Sequence, residues 1–428
     1  MKKVFSLLLF WLFFLPFKAE ADEIIKKGAV LNLNNCIEIA LKRQPNIVAA
    51  VSTVNMNESK VGEAEADYYP QVDLTSGYSR VSSAQASSSS NSTNRSLDQF
   101  NGSISLRQNI YDFGKTATQV KVQRLNLDSS RADLENVTEQ IVFNVKQWYY
   151  SVLQAKRNRE VSEEAVRQFE QHLQQAKGFY SVGTKPKFDV TKAEVDLSNA
   201  RLSMIKAENA LKVAIVTLNN AMGVPDAPEY ALEDNLLFHK YEITLGDAVE
   251  RAYKNRHDLL STIVKRNAAE TSVELAKKGY YPVLTGNAAY SVAGERFPLD
   301  DGWSVGVSIS FPIFSGFLTR HQVEEAKANL NVLRANEEAL RQTVLLEVRQ
   351  AYLNLKEAEE MVPAAELAVK QAAENLDIAN GRYAAGVGNT IEVTDAQVSY
   401  SNAKLNYIKA LSDYRIATAS LEKATGVK

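Results

Sequence analysis

The chain has 428 residues, with 49 Lys+Arg against 51 Asp+Glu and a formal net charge of −2. That balance excludes the basic field of a polyanion binder, and 45% apolar with 23% charged residues excludes both wholesale disorder and a polytopic helical membrane protein. Only 19 Gly and 10 Pro leave room for very long helices, and the single cysteine, Cys36, excludes a disulfide framework or a multi-cysteine metal site.

Lys2 and Lys3 precede an apolar run from Val4 to Phe17, shorter than the roughly 20 residues of a membrane-spanning helix. Ala19-Glu20-Ala21 supplies the small residues of a cleavage site. Residues 1–21 are therefore read as a signal peptide rather than an anchor, and Cys36 lies too far beyond the apolar core to be lipidated.

The remainder repeats itself. Leu33 to Pro70 lies over Leu245 to Pro282 without a gap, pairing Ala40 with Ala252 and Tyr69-Pro70 with Tyr281-Pro282. Further on, Ile110 lies over Ile313, Tyr180 over Tyr383, Gly183 over Gly386, and Gly223-Val224 over Gly426-Val427. The change of register falls where the first copy carries the Ser/Asn-rich stretch Ser82 to Ser96. The expected division is a first repeat over 22–224, a linker over 225–242 and a second repeat over 243–428, each unit far longer than the ~20–50 residue period of a solenoid.

Each repeat predicts the same elements in order. A short helix breaks near Pro45 (His257 in the second copy), and a second helix covers Asn46 to Asp67 or Asp258 to Gly279. Two strands follow, with Val72, Leu74 and Tyr78 opposite Asp73, Thr75 and Ser79, then Phe100, Ile104 and Leu106 opposite Asn101, Ser103, Ser105, Arg107 and Asn109. The second copy sets Leu284 and Tyr290 against Thr285, Asn287 and Ser291, then Trp303, Val305, Val307, Ile309 and Phe311 against Ser304, Ser308 and Ser310.

Lys115 to Lys177 contains no Gly or Pro and carries a helical stripe through Leu134, Val137, Ile141, Val145, Trp148 and Val152. At ~1.5 Å per residue that helix is roughly 95 Å long. Its counterpart stripe is Leu340, Val344, Val348, Ala351 and Leu355, with a kink expected at Pro363. The chain reverses over Gly178 to Lys187 and Gly381 to Thr390, and return helices cover Asp189 to Met222 and Glu392 to Thr425.

Strands with one apolar and one polar face suit either a soluble sheet packed on helices or a membrane barrel with a polar lumen, and the long Ser/Asn/Thr/Gln series with aromatics near strand ends favours the barrel. Four strands cannot close one, since the smallest membrane barrels have about eight, so the strands must join an oligomeric barrel, twelve from three copies. The competing class is an exported structural coiled-coil protein with no transport role.

At this point the chain resembles the TolC-like outer membrane efflux protein family (outer membrane factors), and it does so over the whole mature sequence. The resemblance rests on the openings Leu33-Asn34-Asn35-Cys36-Ile37-Glu38-Ile39-Ala40-Leu41 and Leu245-Gly246-Asp247-Ala248-Val249-Glu250-Arg251-Ala252, on Tyr-Tyr-Pro before each first strand, and on the turns Tyr180-Ser181-Val182-Gly183-Thr184 and Tyr383-Ala384-Ala385-Gly386-Val387. It implies an α+β membrane fold: a homotrimer whose twelve-stranded β-barrel, set in outer-membrane lipid, is continued by a long α-helical barrel into the periplasm. It implies a passive exit duct joined by a periplasmic adaptor (membrane fusion) protein to an inner-membrane pump of RND, ABC or MFS type, whether for drugs, metals or secreted proteins. Val182, Gly183 and Thr184 with Ala385, Gly386 and Val387 are then adaptor-docking turns. Glu392 and Asp395, three apart at a helix start, match acidic rings at the periplasmic entrance. Their other reading is carboxylates favoured by a helix N-terminus, which also accounts for Asp189. Tyr383 matches the family's gate tyrosine, and Gly388 stands where a basic gate partner is often found.

No cofactor, metal site or enzymatic constellation is expected. The four histidines, at 172, 239, 257 and 321, lack ligand spacing and are read as surface or packing residues.

Overall fold

The computed structural model describes residues 25–83 and 95–427. The expected signal peptide and the centre of the Ser/Asn-rich stretch lie outside the described residues.

A two-residue strand β1 (Val30–Leu31) leads into α1 (Leu33–Arg43) and α2 (Pro45–Glu65), which a 3-10 turn over Ala66–Tyr68 closes. Strands β2 (Gln71–Ser83) and β3 (Arg95–Tyr111) are followed by α3 (Lys115–Ser181) and α4 (Lys187–Ala221). After β4 (Ala231–Leu232) the order repeats: α5 (Leu245–Asn255), α6 (His257–Lys277), a 3-10 turn over Lys278–Tyr280, β5 (Val283–Gly294), β6 (Asp300–Ser310), α7 (Leu318–Ala384) and α8 (Thr390–Ala424).

The four long strands form one antiparallel sheet in the order β2-β3-β5-β6, leaving β2 and β6 with one unpaired edge each. Register keeps like with like across it. Leu74 faces Ile104, Ile104 faces Tyr290 and Tyr290 faces Trp303, while Thr75 faces Ser103 and Ser103 faces Ser291. One face is therefore predominantly apolar as far as Tyr78 and Phe100, and it is solvent-exposed in the single chain: Leu74, Ile104, Trp303, Val305, Val307 and Ile309 are all at least half exposed. From Trp303 to Phe311 this face runs about 26 Å at ~3.3 Å per residue, close to the ~25 Å apolar band of a membrane barrel. Beyond Tyr78 and Phe100 it turns polar, with Arg80 and Asp98 paired at 3.7 Å and the Tyr78 hydroxyl donating to Asp98. No helix among the described residues is long and apolar enough to cross a membrane.

Both long helices have 67 residues, roughly 100 Å at ~1.5 Å per residue, and α7 runs through Pro363 without interruption. Two sequence boundaries move. The helices pass through Gly178 and Gly381 and stop instead at Gly183 and Gly386, both left-handed (φ +75° and +77°). There the Thr184 and Gly183 amides donate back to the carbonyls of Phe179 and Tyr180, and Val387 and Gly386 repeat the pattern on Arg382 and Tyr383. A glycine inside a helix costs only about 1 kcal/mol, so it stops one only where the backbone must turn left-handed.

The core sits midway along the helices, where Val145, Tyr149 and Leu153 of α3 meet Val344, Val348 and Leu355 of α7 and Tyr414 and Leu421 of α8. The expected linker is part of it. Its strand β4 pairs in parallel with β1, Leu236 is fully buried, and the Tyr149 hydroxyl donates to the Glu233 carbonyl at 2.6 Å. The helix breaks fall at Gln44 and Arg256, one residue before the expected sites, where both residues turn extended (ψ 119°) and Pro45 starts its helix without needing an amide donor.

Candidate functional site at the helical tips

The two helix hairpins, α3–α4 and α7–α8, end together at the pole opposite the sheet. A Schellman stop closes each long helix; the return helices start differently. Asn389 caps α8, its Oδ1 accepting from the Glu392 amide at 2.9 Å, whereas α4 starts behind Pro186 with no side-chain cap. The turn residues Val182, Gly183 and Thr184 and Ala385, Gly386 and Val387 are all exposed, and Val182 and Val387 show 71% and 70% of their surface.

Repeat-equivalent residues take opposite environments here. Tyr180 is exposed while its counterpart Tyr383 is completely buried, packed on His172 (ring centroids 4.9 Å apart) and edge-on to Phe179. The Tyr383 hydroxyl reaches Oδ2 of Asp189 at 3.5 Å, and burial, reinforced by the Asp189 charge, pushes its pKa up to about 12. Asp189 is buried; its counterpart Glu392 is exposed, accepting from Asn389 Nδ2 at 3.3 Å and pairing with Arg382 at 3.3 Å. Asp395, one turn further along α8, is exposed on the same flank. Of the four titratable residues singled out in the sequence, the fold thus joins Tyr383 to Asp189 and holds Glu392 and Asp395 apart from them, facing solvent.

Several residues of this end were not singled out. His172 is buried, its Nε2 2.9 Å from Thr390 Oγ1 at the start of α8; burial depresses its pKa, with Asp196 and Asp189 opposing. Asp196 accepts from Lys192 at 2.7 Å and from Thr394 Oγ1 at 2.9 Å, a polar joint between α4 and α8. Above it Gln397 donates to Gln168, and Lys404 to Glu164 at 2.7 Å. Lys185, in the first turn, donates to the Gly388 carbonyl of the second at 2.8 Å. The sequence held one usable signal, since His172 lies three residues from Phe169 and four from Ala176 on a buried helical stripe. Gly388 is buried, and a Cβ there would lie 2.8 Å from the Tyr383 amide nitrogen, so no basic side chain fits at that position.

At the other end, where sheet meets helices, a recess of about 790 Å³ opens on the polar sheet face. Arg107, Asn109, Thr285 and Ser310 line it from the strands and Lys60, Lys115 and Lys278 from the helical side.

The outer membrane efflux protein family profile matches residues 36–224 and 248–427. Outer membrane protein TolC of Vibrio cholerae is 22% identical over 410 residues, covering 92% of this chain and 90% of the relative. Among solved structures, the CusC channel superposes with a TM-score of 0.81 at 17% identity over 94% of each chain. The Campylobacter jejuni CmeC outer membrane channel does so with a TM-score of 0.80 at 19% identity, over 92% of this chain and 85% of that one.

Proposed function

Because the chain belongs to the outer membrane efflux protein family, we propose that three copies close into a single duct with twelve strands in the outer membrane and a helical tube in the periplasm. The protein is an outer-membrane exit duct, with its sheet in the membrane and its helices below. The observation that carries this reading is the four-stranded sheet, apolar and exposed on one face, polar on the other, with both edges unpaired. An exported coiled-coil protein without a transport role has no use for such a face, and that alternative is not supported. In lipid an unpaired strand edge costs several kcal/mol per orphaned backbone group, so β6 of one copy must pair with β2 of the next until the ring closes.

The helices support the same closure. Helix α4 leaves Phe188, Val195, Leu202 and Val216 exposed at multiples of seven residues, and α7 does the same with Val332, Leu346, Leu353 and Leu367. These helices flank the row α4-α3-α8-α7, so each stripe waits at an edge for a neighbouring copy, as coiled-coil seams do. We further propose that the exposed turns at Val182-Gly183-Thr184 and Ala385-Gly386-Val387 dock a periplasmic adaptor, which links the duct to an inner-membrane pump.

Three-fold symmetry would set three copies of Glu392 and Asp395 around the tip, a ring of carboxylates that concentrates cations at the entrance. The test is block of conductance by a trivalent cation in planar bilayers. Glu392→Gln with Asp395→Asn should abolish it; unchanged block sinks the ring.

A further inference from the structure

The recess of about 790 Å³ at the joint between sheet and helices lies at the far end of the molecule from the tips. Four cations reach it: Arg107 from β3, Lys115 from the first turn of α3, Lys278 from the 3-10 turn before β5, and Lys60 from α2. Among the described residues none of the four has an ion-pair partner. Arg107 stands on the polar sheet face between Gln71 and Asn287, neither of them charged, and Asp73, diagonal to it, makes no ion pair with it. Lys278 Nζ lies 5.3 Å from the centre of the Tyr281 ring, and a Cβ at Gly114 would be 3.9 Å from it, which puts this ammonium against the start of α3. Asp112 does not neutralise it. That carboxylate accepts from the Gly114, Lys115 and Thr116 amides, which offsets the positive end of the helix and leaves both ammoniums uncompensated. The other two carboxylates of the lining, Glu63 and Asp67, are exposed on the α2 side and pair with no cation.

The joint itself does not require this charge. Ser272, Ser310 and Leu318 stand in the second repeat where Lys60, Arg107 and Lys115 stand in the first, so the equivalent strand-to-helix joint is built without them. Like charges gathered around one recess repel each other, and the concave wall focuses their field on whatever enters. A bound anion removes that repulsion. Asn109, Gln119 and Thr285 add neutral hydrogen-bonding groups to the same lining.

We propose that this recess is a binding subsite for a small, multiply charged oxyanion, such as the phosphate groups of an anionic cargo, held by Arg107, Lys115 and Lys278 as it passes the joint. The proposal rests on the reading of the polar sheet face as the duct lumen. Arg107 can engage two oxygens at once, and the ammoniums act beside it as point charges. Three-fold symmetry sets three such recesses around the lumen.

The test uses the full chain reconstituted in planar bilayers at about 0.1 M salt, where charges are felt over roughly 10 Å. Tripolyphosphate is the probe and its half-blocking concentration the readout. Arg107→Gln, Lys115→Gln and Lys278→Gln should each raise that concentration about tenfold, the loss of one charge-assisted contact per recess. Glu63→Gln should lower it. Arg80→Gln removes the same charge from the opposite face of the sheet and should leave block unchanged. Equal shifts for Arg80→Gln and Arg107→Gln, or block unmoved by the three lining substitutions while conductance persists, overturn the subsite and leave the duct standing. A parent chain that forms no conducting channel overturns the duct reading and the subsite with it.

Discussion

At the scale of single residues, the tip shows how a duplicated sequence acquires asymmetric chemistry. Asp189 and Glu392 are the same repeat position, yet the first is buried against the Tyr383 hydroxyl and the second is a solvent-facing carboxylate at a capped helix start. His172 belongs to the same interior, faced by Thr390, Tyr383, Asp189, Asp196 and Lys192. Its pKa is depressed below the ordinary 6.5 by burial, so it stays neutral when folded at a pH where the unfolded chain already takes a proton. Stability is then fully present above pH ~6.5 and falls as the pH drops below it, by at most about 1.4 kcal/mol per pH unit per chain. Thermal melts between pH 7.5 and 5 should show this decline in the parent chain and a flatter profile in His172→Gln, which keeps a partner for Thr390. Parallel profiles would remove His172 from the pH response.

At the scale of elements, four left-handed glycines stop four helices, but they do different amounts of work. Gly183 and Gly386 close their turns in open space, while a Cβ at Gly223 would lie 2.8 Å from the Arg43 carbonyl and one at Gly426 2.9 Å from the Arg256 amide. The ends of the return helices are thus pressed against the α1–α2 and α5–α6 breaks. Around the second break, burial works against the Asp258 carboxylate. The Arg256 guanidinium, which also pairs with Glu347, outweighs it and holds the Asp258 pKa below the usual range. An alanine forced into the left-handed region costs ~1–2 kcal/mol by itself. Gly183→Ala should therefore lose about that much stability in a denaturant titration, and Gly426→Ala distinctly more, because backbone and not a movable side chain stands in the way. Equal losses would mean that the contact at the break adds nothing to the stop.

At the scale of the whole molecule, a single chain is an incomplete wall, with β2, α2 and α4 along one border and β6 and α7 along the other. Leu202→Asp or Leu353→Asp, each at a residue more than half exposed in the single chain, should bury a charge in the seam between copies. Native mass spectrometry in detergent is expected to show the trimer replaced by monomer for either variant. Val182→Asp, at an exposed turn away from both borders, should leave the trimer intact and weaken adaptor capture instead. Trimers surviving both seam substitutions would relocate the interface.

The sequence by itself determined the elements and their order. Period-two alternation, a helical stripe free of breakers and a repeated register are local properties of the chain, so they could be read without knowing any neighbour. The family resemblance added the assembly and named Tyr383, Glu392 and Asp395. Only the tertiary structure decided that repeat-equivalent residues part company, with Tyr383 inside and Tyr180 outside, Asp189 buried and Glu392 wet. It also joined Lys185 to Gly388 across 203 positions and packed the supposed linker into the core. The physical reason is that burial and hydrogen-bond partnership belong to the space between elements, and two copies of one sequence pattern meet different neighbours once they are folded side by side.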